Sequence, residues 1–406
     1  MQVKTTLTIV AAVATILLSG QVAAKDPARP VAASASTTID SIIEQQMSEV
    51  GMVGVGAAII VDREVVWMKG YGFADKARAT PFTTNTIMNV GSIAKPFVGV
   101  AMMRAVHEGK LSLDEDINKY LPFRVVNPHH PDEKITLRHL ATHSSGITDR
   151  REVYSGTYHY GGDSPESLGH FLEQYFKSDG KNYSPDNFLD AKPGSRRDYS
   201  NIGAGLAGYI VERAFGEPLN VYTRKHIFTP LQMTRTGWFL SEVDPANHTR
   251  LYVSQNGQVI PIPLYGGTTY PDGGVRTSVA DLSKFFIALL NGGKYQSARI
   301  LDSGSTAEML RFQFTDANRP ENYPAADGNS GLFWRTKFNG TRIGHGGNDP
   351  GIQTEMLSDL SKEAGVILFV NTSLGGSDQR ASSVIFDALW EHAMTLKNEQ
   401  EQTSSK

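Results

Sequence analysis

Apolar side chains recur at Ile39, Ile42, Ile43 and Met47, with Gln46 beside them, which is the spacing of one helical face. Two β-rich runs follow at 53–61 and 64–68 around Asp62-Arg63, so the pattern predicts a helix and then a hairpin. Phe97, Val100, Ala101, Arg104 and Ala105 return to helical spacing. That helix is expected to begin around Ser92, to tolerate Pro96 in its first turn and to stop at Gly109. From about 111 to 265 the chain is polar and loop-rich, with helical patterns such as 202–214 and few alternating strands. Beyond it, 280–290 reads as helix, 341–344, 353–358 and 365–370 as strands, and 382–394 as a closing helix. Strands therefore lie at both ends of the chain with helices between them.

The N-terminus changes the picture. Met1-Gln2-Val3-Lys4 leads into an apolar run at 7–18 and then Val22-Ala23-Ala24, the pattern of a signal peptide (1–24) cut after Ala24. The run is short for a membrane span, although an uncleaved anchor helix is the alternative. The protein is thus expected to be exported, periplasmic or secreted, with no stable membrane span after cleavage. Residues 25–36 are small, Pro-containing and aperiodic, as a linker would be, so folding should start near Thr37, and 396–406 reads as a polar tail. Cysteine is absent, which excludes disulfides, thiolate chemistry and the lipobox that would tether a bacterial lipoprotein. At 406 residues and 40% hydrophobic, the chain can bury a large core. A formal charge of −3 with scattered basic residues argues against nucleic acid as a partner.

Three short motifs carry candidate chemistry. In Gly91-Ser92-Ile93-Ala94-Lys95, serine and lysine stand three residues apart at a helix start, on one face and within mutual reach. A serine hydroxyl attacks a carbonyl only when a base takes its proton, and a lysine of lowered pKa can serve. Alone, this pattern equally describes a capped helix with a solvated lysine. Tyr199-Ser200-Asn201 runs into the second helical pattern. There the phenol can carry a proton and the Asn amide can bond both the lysine and a substrate carbonyl, or the pair is simply a packed Tyr and a helix cap. Gly344-His345-Gly346-Gly347 ends a predicted strand, where small residues admit an extended substrate and His345 offers polarity or positive charge.

In this order and with these separations, Ser92-x-x-Lys95, Tyr199-x-Asn201 and His345-x-Gly347 resemble the three motifs of serine β-lactamases, DD-peptidases and their class C-like relatives. The flanking Leu140-Ala-Thr-His-Ser-Ser-Gly-Ile147, Pro193-Gly194, Pro230-Leu231-Gln232-Met233 and Asp272-Gly273-Gly274 match as well, over roughly 37–395. The resemblance implies an α/β (α+β) fold of the β-lactamase/DD-peptidase type. An antiparallel sheet with flanking helices, from about 37–110 and 266–395, would pack on a mainly helical lobe from about 111–265. It implies a serine hydrolase with no cofactor and no metal, acting through an acyl-enzyme. Ser92 would be the nucleophile, Lys95 and Tyr199 the proton carriers, and Asn201, His345, Gly346, Gly347 and Asn348 the substrate-binding residues. The backbone amides of Ser92 and Asn348 would form the oxyanion hole. One departure matters: β-lactamases and many penicillin-binding proteins have lysine where His345 stands. D-residue peptides, possibly derived from cell wall, or small esters are therefore expected ahead of β-lactams. A true β-lactamase, or a silent peptidoglycan-binding protein of the same fold, is the alternative.

Two other clusters compete for attention. His139 and His143 have the i, i+4 spacing of zinc ligands, but Leu140 stands where a zincin carries glutamate, which favours a structural pair. Tyr154, Tyr158, His159 and Tyr160 lie in a glycine-rich loop that either roofs a pocket or packs without touching substrate.

Overall fold

The computed structural model describes residues 33–255 and 258–404, so the expected signal peptide and most of the expected linker lie outside the described residues. Its framework is one seven-stranded sheet, antiparallel throughout. The first strands are β1 (Gly54–Val61), β2 (Glu64–Asp75) and β3 (Thr80–Pro81). The rest come from the far end of the chain: β4 (Arg335–Lys337), β5 (Arg342–Asp349), β6 (Ile352–Asp359) and β7 (Ala364–Val370). In space the order is β4-β5-β6-β7-β1-β2-β3, with Val55 opposite Val370 and Val61 opposite Ala364 at the seam.

β1 and β7 are buried along their whole length because both faces of the sheet are covered. Alternation of side chains divides them between two cores. Val55, Ala57, Ile59 and Val61, with Val366, Leu368 and Val370, face a layer made by the terminal helices. These helices are α1 (Ala33–Val50), which contributes Ile39, Ile43 and Met47, and a long C-terminal helix over Arg380–Ser404, which contributes Ile385, Phe386 and Leu389. Ala58, Ile60, Ile367 and Phe369 face the larger core under the middle of the chain. There α2 (Ala94–His107) is buried on nearly every side, with Phe97 stacked on Phe285 at 3.7 Å and edge-on to Phe228 at 5.6 Å. Burying such a ring stabilises by roughly 1.5–3 kcal/mol. α3 (Asn201–Phe215) packs on α2, and α4 (Val279–Leu290) lies against β1 and β7.

Three boundaries differ from the sequence reading. α1 begins at Ala33, before Thr37. The C-terminal helix, α5, runs to Ser404, through the stretch expected to be a polar tail. Lys397 bonds Asp359 at 2.8 Å and pairs with Glu363, which ties its last turns to the sheet. A hairpin of Leu251–Gln255 and Gln258–Ile262 was hidden because Pro261 interrupts the second strand, which lies at an edge where a missing N–H is tolerated. Among the described residues no helix is long and apolar enough to cross a membrane.

Candidate active site

Ser92 sits in a 3-10 turn, Gly91–Ile93, immediately before α2. Its hydroxyl caps no helix, which removes the capped-serine reading. Gly91 has φ +52, a left-handed conformation that favours glycine. Backbone pairing fixes the turn: Met88–Asn89 pairs with Arg276–Thr277, and Val90 N–H donates to Val275 O at 2.9 Å. The Asp272-Gly273-Gly274 segment is thereby held beside Ser92.

Lys95, on the first turn of α2, is completely buried. Its Nζ lies 3.0 Å from Ser92 Oγ, 2.7 Å from Asn201 Oδ1 and 2.7 Å from the Asp272 carbonyl oxygen. Two of these three partners can only accept a hydrogen bond, whereas a hydroxyl can also donate. A neutral Lys95 therefore has one group toward which its lone pair can turn, the Ser92 hydroxyl. The Lys95 Nζ also lies 4.9 Å from the centre of the Tyr199 ring, and the buried Tyr199 Oη has no protein partner. Asn201 is set by an acid that sequence reasoning missed. Asp149 accepts from the N–H groups of Asn201 (2.7 Å) and Ile202 (2.9 Å) and from Ser200 Oγ (2.9 Å), while Ser200 Oγ caps Gly203 N–H. A carboxylate at the exposed amides of a helix start is favoured by both hydrogen bonding and the helix dipole. The only signal for it was its position two residues past the Leu140–Ile147 match.

β5 carries the third motif past the serine turn. β4 pairs with β5 only from Arg342 to Gly344, so from His345 onward the outer edge of β5 faces the 91–93 turn. A Cβ on Gly347 would stand 2.1 Å from Val90 O and 2.6 Å from Thr354 Oγ1, so only glycine permits this approach. Gly346 is partly exposed and Asn348 exposed, the latter paired with Gln353 on β6. The three segments thus come together around the serine turn.

Of the two contributions open to His345, polarity or positive charge, its surroundings favour polarity. It is 1% exposed, its Nδ1 lies 2.8 Å from Gly346 O, and its ring centre is 6.3 Å from that of Tyr199. A carbonyl can only accept, so Nδ1 carries the proton. Burial first, and then the nearby Arg335 and Lys95, push the imidazole well below its ordinary pKa and keep it neutral. Fixed charge on this side comes instead from Arg335, whose guanidinium lies 5.6 Å from the Tyr199 ring, and from Arg197, which stacks on Tyr323 at 4.7 Å. His143 is neutral for similar reasons. Its ring is tilted by 30° against Tyr199 with the centres 4.2 Å apart and its Nδ1 accepts from Ser200 N–H at 3.2 Å, while His139 lies against Gly194. The two histidines serve different contacts.

The opposite wall is acidic. Asp272, 7% exposed, accepts from Tyr154 Oη at 3.2 Å, and burial pushes its carboxyl up to about 7. Asp349, at the end of β5, accepts from Tyr158 Oη at 2.7 Å and is likewise raised by burial. Of the aromatic loop, Tyr154 and Tyr158 therefore hold the two acids beside the serine turn. Tyr160 is turned to solvent and His159 bonds Thr268 Oγ1 at 2.9 Å.

Over residues 39–389 the chain matches the protein family described as Beta-lactamase. The esterase EstB of Burkholderia gladioli is 28% identical over 252 residues, which are 59% of this chain and 60% of that protein. The octameric penicillin-binding protein homologue from Pyrococcus abyssi has a TM-score of 0.69 and 26% identity, covering 89% of this chain and 77% of that one. A D-amino acid amidase from Ochrobactrum anthropi SV3 has a TM-score of 0.68 at 22% identity, covering 89% of this chain and 100% of its own, a likeness of fold. The chain spans about three fifths of the length of the curated relatives it matches.

Proposed function

The chain belongs to the β-lactamase family, and from that premise we propose that it is an exported serine hydrolase acting through a covalent acyl-enzyme. The observation that carries this reading is the contact of Lys95 Nζ with Ser92 Oγ at 3.0 Å. The remaining lysine hydrogen bonds are taken by two oxygens that can only accept. Lys95 takes the hydroxyl proton while Ser92 Oγ attacks the substrate carbonyl. The backbone amides of Ser92 and Asn348 receive the developing oxyanion. Tyr199, its hydroxyl free of protein partners, gives its proton to the leaving group and takes one back from the Lys95 ammonium; water then attacks the acyl carbonyl, losing a proton to Lys95, and the acyl group leaves Ser92, whose oxygen receives that proton.

Amides of D-residues and small esters rank ahead of β-lactams as substrates. The buried neutral His345 supports this ranking, because it offers no charge to a β-lactam carboxylate. The activity named for the Burkholderia esterase supports it too. The test is a panel of p-nitrophenyl esters, D-alanyl peptides and nitrocefin, run with wild type and Ser92→Ala, together with mass-spectrometric location of a fluorophosphonate label. Ester or D-peptide turnover, lost by roughly 10³-fold or more in the variant, with the label on Ser92, is the expected result. Wild-type turnover in Ser92→Ala would remove the assignment, and fast nitrocefin hydrolysis alone would reverse the ranking.

A further inference from the structure

We propose that Thr354 is a positioning residue for acyl transfer: its hydroxyl bond to the Val90 carbonyl sets the serine turn against β5, and with it the spacing of the Ser92 and Asn348 amides that receive the oxyanion. The inference rests on the acyl-transfer reading and adds to it a buried side chain on β6 that none of the three motifs contains.

Val90 immediately precedes the Gly91–Ile93 turn, and Gly347 immediately precedes Asn348 on β5. The two oxyanion donors are therefore carried by segments remote in sequence, and whatever fixes Val90 against Gly347 fixes the distance between them. Thr354 lies opposite Gly347 in the antiparallel pair of β5 and β6, so the two positions share one face of the sheet. Glycine leaves that face bare on β5, and the serine turn fills the space: Gly347 Cα stands 3.3 Å from where a Cβ on Gly91 would lie. Thr354 Oγ1 reaches into the same space and donates to Val90 O at 2.9 Å, across 264 positions of sequence. The other oxygen near it, Gly347 O, is at 3.5 Å, beyond the usual range for a hydroxyl donor.

The other bonds of the turn run elsewhere. Val90 N–H is taken by Val275 O at 2.9 Å, which ties the turn to the segment after Gly274, and Ile93 N–H closes the turn on Val90 O at 3.3 Å. Among the described residues, Thr354 thus supplies the hydrogen bond that joins residues 90–93 to the sheet, and the remaining contact is glycine backbone against glycine backbone. Val90 and Thr354 are both buried, so water does not replace the bond when the hydroxyl is deleted, and the carbonyl keeps only its longer bond to Ile93. Thr354 is itself firmly placed. β6 runs between β5 and β7, with Phe369 opposite Thr354 on the far side, and a β-branched side chain has few choices of χ1. Preorganised amides act on the oxyanion only where they are aimed at it, and a displacement of about 1 Å costs about 10²-fold in rate.

Two substitutions in the full-length protein separate the hydroxyl from the shape of the side chain: Thr354→Val deletes the hydroxyl and keeps the branching, and Thr354→Ser keeps the hydroxyl. Each is measured for kcat/KM on a p-nitrophenyl ester and for inhibition by phenylboronic acid. In the inhibitor adduct the Ser92 oxygen adds to boron, its proton passes to Lys95, and a boron-bound oxygen takes the oxyanion position. Thr354→Val is expected to lower kcat/KM by roughly 10- to 10²-fold and to weaken the boronic acid by about the same factor. Thr354→Ser is expected to stay within about threefold of wild type in both. Binding of the intact ester, measured in the Ser92→Ala background, is expected to be the same with and without Thr354→Val, because the bond acts on the tetrahedral state. A Thr354→Val protein with wild-type kcat/KM and boronic acid affinity would overturn the proposal whatever its urea midpoint, and so would equal losses in the Val and Ser variants or a loss shared by ester binding. Thr354→Ala is read in the same way if Thr354→Val does not fold, and an impaired Thr354→Ser overturns the proposal by itself. Failure of a fluorophosphonate to label Ser92 in wild type overturns the acyl-transfer reading and this role with it, whereas wild-type labelling that proceeds at the same rate in Thr354→Val overturns the role of Thr354 alone.

Discussion

Replacing Asp272 by asparagine removes an ionisable group that the fold buries at a cost, and the cost depends on pH in a defined direction. In the unfolded chain the carboxyl ionises near 3.8, and in the folded protein near 7, with burial as the main cause. Below pH 4 both states are protonated and the group contributes no difference. Between pH 4 and 7 the unfolded chain loses its proton first, so wild-type stability falls as pH rises, and above pH 7 the full penalty is present. A rise from 3.8 to about 7, at about 1.4 kcal/mol per pH decade, corresponds to a penalty of about 4 kcal/mol. The asparagine amide must itself be hydrated or bonded in the same buried position, which returns part of that gain. Asp272→Asn is therefore expected to be more stable than wild type by about 2–4 kcal/mol at pH 8 and by about zero at pH 4. Lys95 keeps its bond to the main-chain oxygen at position 272 in both proteins. Urea unfolding of the two proteins at pH 4, 6 and 8 measures the difference. A variant less stable than wild type at pH 8, or a difference that does not change with pH, would refute the reasoning.

Three further outcomes follow from the site. Gly347→Ala drives a Cβ into Val90 O and Thr354 Oγ1, and is expected to lower kcat/KM by roughly 10²-fold through displacement of β5 from the serine turn; wild-type kinetics in a folded variant would contradict it. Asp149→Ala removes three hydrogen bonds at the start of α3 and is expected to cost about 2–4 kcal/mol in urea unfolding, with an unchanged midpoint as the opposing result. Because burial, Arg335 and Lys95 hold His345 neutral, KM for a carboxylate-bearing ester is expected to show no step near the ordinary histidine pKa of about 6.5. A step that vanishes in His345→Gln would restore a charged role for the ring.

Residues whose role follows from local spacing were legible in the sequence. The three-residue interval between Ser92 and Lys95 survives the finding that the serine sits in a 3-10 turn, because both geometries bring positions i and i+3 together. The continuous apolar run at 365–370 and helical periodicity in 280–290 likewise reported burial directly. What stayed hidden depends on distant parts of the chain. Asp149 acts through α3, Asp272 and Asp349 meet only because β5 passes the Gly273 segment, and nothing adjacent to them in sequence records either fact. The choice between polarity and positive charge for His345 was open for the same reason, since desolvation and the approach of Arg335 are properties of the folded protein. The polar end of α5 was misread because Lys397 is anchored by Asp359 and Glu363, which are remote in sequence.

The seam between β1 and β7 also governs how the molecule can come into being. Val53 N–H donates to Thr372 Oγ1 across 319 positions of sequence, and the strands on either side of that bond are buried on both faces. At a synthesis rate of roughly 5–20 residues per second, the first hairpin exists for tens of seconds before its neighbour leaves the ribosome. Through that interval an apolar strand has an unpaired edge, the condition under which chains adhere to one another. A chain that crosses a membrane unfolded and then folds with both ends present escapes the interval altogether. The same seam brings α1 and α5 side by side, so joining the two ends through a short linker and opening new ones in a surface loop of the helical middle would give a permuted chain in which β7 leads to β1 through α5 and α1 alone, and the slowest encounter in assembly would become a far more local one.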